Sequence, residues 1–60
     1  MNMATWQNLA EDAVDELFKS YVGDQLIAVI REQIGVNTFI DNVKKAVDKR
    51  DAVIAAIDDA

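Results

Sequence analysis

The sequence predicts an all-α protein of three helices, at about residues 6–22, 25–34 and 39–58. Three observations carry that expectation. Apolar residues recur at spacings of three and four along most of the chain, the period of a helix with one buried face. No stretch alternates apolar and polar residues for more than a few positions, as a half-buried strand would. Gly23 and Gly35 each follow an apolar-periodic stretch, where a helix C′ residue belongs. The expected architecture is a helical hairpin or small bundle with the short central helix packed across it, forming a single domain over residues 1–60.

In the first element Thr5 is a candidate N-cap, and Trp6, Leu9, Ala10, Ala13, Val14, Leu17, Phe18 and Tyr21 form the apolar stripe. The element is expected to stop at Val22–Gly23. Asp24 stands where an N-cap belongs for the second element, and Gly35 is expected to end it. Leu26, Ile27, Val29, Ile30 and Ile34 cover almost half of that short helix, which predicts that it is the most buried of the three. Asn37 or Thr38 is positioned to cap the third element, with Asp41 in its first turn, where a carboxylate favours the helix dipole. Asp58 and Asp59 lie at the end where the dipole disfavours anions, so the last turn is expected to fray.

Projection at ~100° per residue makes the third helix the most informative. Ile40, Val43, Val47, Arg50, Ile54 and Ile57 follow a three-four seam, and Phe39 and Val53 fall in a flanking row seven apart with Ala46. One helix with a seam and a second row can contact two neighbours, so these eight residues are the predicted interface. Arg50 lies near the middle of the arc, where an unpaired charge is costly. Its candidate partners are Asp24, Glu16 and Glu32, in the same chain or in another copy; the alternative is a guanidinium reaching water along its aliphatic stem. On the first helix Glu11, Asp12, Asp15 and Glu16 form an acidic face opposite the apolar stripe, either solvated or a docking patch for a basic protein. The cluster Lys44, Lys45, Lys49 and Arg50 is interleaved with Asp41, Asp48 and Asp51, the alternation of an exposed bundle face.

Composition removes whole classes of chemistry. The chain has no His and no Cys, which excludes N/S zinc sites, Ser-His and Cys-His nucleophile pairs, and disulfides. Ser20, Tyr21, Thr5 and Thr38 are the hydroxyls that remain, and no glycine-rich phosphate loop exists. No enzyme activity, cofactor or metal is expected. Six basic against eleven acidic residues give a net charge of −5, the wrong sign for tracking nucleic acid or an anionic membrane. Ile34-Gly35-Val36 followed by a capped helix resembles the turn of a helix-turn-helix. The likeness is partial: Arg31 stands where that motif takes a small residue, Asp41 where it takes a buried aliphatic, and Thr38-Phe39-Ile40-Asp41 would present apolar and acidic groups to base edges. Met1 to Trp6 lacks the basic start of a secretory signal, and the longest apolar run, Leu26 to Ile30, is far short of the ~20 residues that span a bilayer. A cytoplasmic protein is expected.

At 52% hydrophobic and 28% charged, the chain has the composition of a folded domain. A chain this short buries only about 60% of its unfolded surface, which predicts self-association, with a homodimer as the first expectation. The functional expectation is a non-enzymatic protein-interaction module, a small acidic helical regulator or inhibitor that binds a larger macromolecule through its helix surfaces. The alternatives are an assembly protein self-associating through the third helix, and an acidic nucleic-acid mimic or weak helix-turn-helix DNA binder.

Overall fold

Two long helices, not three, make up the protein. A computed structural model describes residues 3–60, with side chains from Thr5 onward; Met1 and Asn2, part of the stretch read for a targeting signal, lie outside the described residues. Helix α1 runs Met3–Ile30 and helix α2 runs Val36–Asp59. They pair antiparallel into a hairpin whose Cα atoms span 46 × 16 × 8 Å. Gln7 at one end of α1 reaches the Ile57 carbonyl, 3.1 Å away, and Gln25 near the other end accepts a hydrogen bond from Asn42, so the pairing extends along both helices. Among the described residues there is no strand, and no helix is long and apolar enough to cross a membrane.

The expected break at Gly23 does not occur, and α1 passes straight through it. A glycine inside a helix costs about 1 kcal/mol relative to alanine. Stopping there would forfeit a turn of backbone hydrogen bonds and the pairing beyond it. Val14, Phe18, Val22, Gln25 and Val29 keep their three-four spacing across Gly23 with no phase change, and all five are partly covered. The separate central helix is thereby lost: 24–30 is the last part of α1, and Arg31–Gly35 is the turn. This end is not the most buried, since Leu26, Ile27 and Ile30 are exposed, Ile30 at 78%.

Helix α1 closes with a Schellman arrangement. The Gln33 amide donates to the Ala28 carbonyl at 2.8 Å and the Glu32 amide to the Val29 carbonyl at 2.9 Å, the paired six-to-one and five-to-two bonds of that motif. The left-handed position falls on Glu32, with φ 59°, and not on a glycine. Gly35 has φ −82° and ψ 163° and is the N-cap of α2, making no side-chain cap bond. Its carbonyl accepts from the Phe39 amide at 3.0 Å. Helix α2 therefore starts before Asn37 and Thr38, which lie inside it, and Asp41 is beyond its first turn. Thr5 likewise sits within α1, which begins at Met3. At the far end α2 stays helical through Asp59, where the Ala60 amide closes on the Ile57 carbonyl.

Candidate functional site

Two helices can bury only the stripe between them. None of the described residues is buried, and those partly covered trace the line along which α1 and α2 meet. Of the predicted interface residues, Phe39, Val43, Val47, Arg50, Ile54 and Ile57 belong to this line. Ile40 and Val53 do not, being 41% and 47% exposed. Thirteen positions separate them, roughly 140° around the helix, so they flank the seam on opposite faces of the hairpin.

Polar groups punctuate the seam. Asn42 Nδ2 donates to Gln25 Oε1 at 2.9 Å. The Arg50 guanidinium carbon lies 4.6 Å from the centroid of the Phe18 ring, while its Nη2 meets Asp51 Oδ1 at 3.1 Å. The arginine is thus held inside its own chain, by the face of Phe18 and by the neighbouring Asp51 instead of Asp24, Glu16 or Glu32. Its side chain keeps 30% of its surface in water, the pattern of an apolar stem with a solvated head. Phe18 had no special place in the sequence reading beyond its stripe, because its pairing with Arg50 depends on the hairpin register. Gln33 is exposed in the turn.

The acidic residues of α1 separate into two environments. Asp12, Asp15 and Glu16 are exposed, and Glu16 makes a 3.8 Å ion pair with Lys19 that is mostly in water. Glu11 is partly covered and faces Asp58 of α2, with which it can hydrogen-bond only when one of the two carboxyls is protonated. That bond, the negative charge of Asp58, some desolvation and the charges of Asp12 and Asp15 raise its pKa above the ordinary value of 4.5.

One face of the hairpin carries an open groove of about 550 Å³. Val14, Leu17, Phe18 and Tyr21 form its α1 wall. Ala46, Arg50 and Val53 form the α2 wall, with Lys45 and Lys49 on the rim. Leu17, in the middle, is 72% exposed. Toward the chain ends the apolar strip continues through Trp6, Ala10, Ile57 and Ala60, which line a second, shallower cleft. The groove offers large apolar side chains and three cations with no carboxylate, so it suits a ligand that is itself apolar with acidic edges.

The surface area gives the size of the unmet demand. The chain exposes 4583 Å², whereas a folded monomer of 6.7 kDa is expected to expose ~3,900 Å². The excess, ~700 Å², is surface that a compact fold of this mass would have covered and that a two-helix hairpin leaves open.

The architecture is that of an antiparallel two-helix hairpin. No protein-family model matches the chain, and comparison with curated proteins and with solved structures found no match.

Proposed function

We propose that the protein is a non-enzymatic helical interaction module, and that the groove face bearing Leu17, Tyr21 and Val53 is its working surface. The observation that carries this reading is the strip of exposed large apolar side chains, Leu17 at 72% and Val53 at 47% among them, in a chain without a buried residue among those described. Large exposed apolar side chains in a contiguous strip favour association over solvation. The sequence has no His or Cys, which favours the helix faces over Ser-His, Cys-His or N/S metal chemistry as the means of action. Regulation of a larger macromolecule through its helix surfaces is the form of the activity that fits a small, acidic helical chain.

The test is capture of partners on tagged wild type and on Leu17→Glu, with helicity measured for both. Leu17 makes little contact within the hairpin, so the variant is expected to remain helical and to lose the partners that wild type retains. An identical set of partners on both proteins would remove the groove face from the account.

A further inference from the structure

We infer that the groove face is covered by a second copy of this chain, with α1 of one hairpin lying on α2 of the other about a two-fold axis parallel to the helices. The inference rests on the groove face being the working surface and names what occupies it.

Area and charge both bear on the occupant. The face measures 46 × 16 Å between Cα extremes, a footprint of the order of the ~800 Å² per partner of a standard interface. Two hairpins placed face to face would form a four-helix bundle, the arrangement in which helix pairs with one unfilled stripe each complete a core. The face is also divided by charge. Its α2 rim carries Lys45 and Lys49, which make no ion pair among the described residues. Its α1 side carries Asp24, seven positions and therefore two turns from Leu17, with Glu16 at the outer edge. Asp24 is exposed and, among the described residues, also without an ion pair.

Of the two-fold axes that bring the same face of two hairpins together, two keep the helices aligned as in a bundle. An axis across the helices stacks α1 on α1 and α2 on α2, which sets acids against acids and lysines against lysines. An axis along the helices stacks α1 on α2 of the other copy, setting the Glu16 and Asp24 edge against the Lys45 and Lys49 rim in both halves of the interface. Like-charge juxtaposition disfavours the first and electrostatic complementarity selects the second.

The register agrees. Phe18 is level with Arg50 and Gln25 with Asn42, so Lys45 is level with Val22 and Lys49 with Phe18 or Lys19. A two-fold axis along the helices leaves heights unchanged. Asp24 of one copy therefore lies about two residues, ~3 Å of helix rise, from the level of Lys45 in the other, and Glu16 about as far from Lys49. Both are within the reach of a lysine side chain.

The experiment uses two double variants of the full chain, Lys45→Glu with Lys49→Glu, and Glu16→Lys with Asp24→Lys, studied by sedimentation equilibrium with helicity as a fold control. All four positions are exposed. Wild type is expected at twice the 6.7 kDa chain mass. Each double variant alone should dimerise at least about tenfold more weakly, and an equimolar mixture of the two should recover a heterodimer as tight as wild type. Double variants that each dimerise like wild type would overturn the α1-on-α2 arrangement. A dimer unaffected by Leu17→Glu would overturn the choice of face. A wild-type monomer at every concentration would overturn the dimer, while loss of captured partners on Leu17→Glu would still support the groove face as the surface for a foreign protein.

Discussion

The guanidinium of Arg50 on α2 lies over the ring of Phe18 on α1, 4.6 Å from its centroid. This contact joins the two helices near the middle of the hairpin and resolves how a charge is carried inside an apolar stripe. The cation meets the negative face of the ring while its head group stays in contact with water and with Asp51. Such contacts contribute about 0.5–1 kcal/mol where partly solvated. In a double-mutant cycle with Arg50→Met and Phe18→Leu, the coupling energy is expected in that range. A coupling indistinguishable from zero would mean that the arginine is held by its stem alone.

Gly23 supplies a second prediction. It lies inside α1, and a Cβ built on it meets nothing within 4 Å. Gly23→Ala therefore removes a flexible residue from a helix interior without a clash, and should stabilise the protein by about 0.5–1 kcal/mol. Chemical denaturation measures this directly. A helix that broke at Gly23 with a left-handed residue would lose stability on the same substitution.

The sequence made the helical class, the antiparallel return and most of the seam of α2 legible, because three-four spacing does not depend on knowing the partner. It did not make the number of helices legible. Gly23–Asp24 has the chemistry of a stop followed by a cap, and that local signal competes with the unbroken spacing of Val14, Phe18, Val22, Gln25 and Val29. That spacing was the signal of a continuous helix. The turn was misplaced for a related reason: the left-handed residue is Glu32, and nothing in a glutamate announces that conformation. The candidate surface was half legible. Val53 stands out in the sequence, but Leu17 and Tyr21 are indistinguishable there from the rest of the first helix's apolar stripe, since only the hairpin reveals which part of a stripe its partner helix leaves uncovered.

Glu32 yields the third prediction. A non-glycine residue in the left-handed region costs roughly 1–2 kcal/mol, and Glu32 occupies it with φ 59°. Glu32→Gly relieves that strain while keeping both Schellman amides, although the more flexible unfolded chain offsets part of the gain. A net stabilisation of about 1 kcal/mol is expected by thermal or chemical denaturation. A destabilised variant would show that the glutamate side chain makes a contribution larger than the strain it carries.

The fourth prediction concerns pH. The hydrogen bond with Asp58 and its charge raise the Glu11 pKa above 4.5. The folded protein consequently holds more protons than the unfolded chain between the unfolded and folded values, so stability falls as pH rises through that window and is recovered on acidification. Trp6, the only tryptophan, lines a cleft with Ile57 and Ala60 beside this pair, so its fluorescence reports the contact between the chain ends. A fluorescence step above pH 4.5 is expected in wild type and not in Glu11→Gln. A step that survives in the variant would assign the titration to another group.

On the proposed reading the hairpin is half of a folding unit, its uncovered apolar face being closed by association. The most direct measurement is the thermal midpoint of the wild-type protein across roughly a hundredfold range of concentration, because association of folded chains alone makes the midpoint depend on concentration. The account predicts a midpoint that climbs steadily with concentration and a flat response for Leu17→Glu. A wild-type midpoint that stays constant over the whole range would show that two helices suffice, and would contradict the claim.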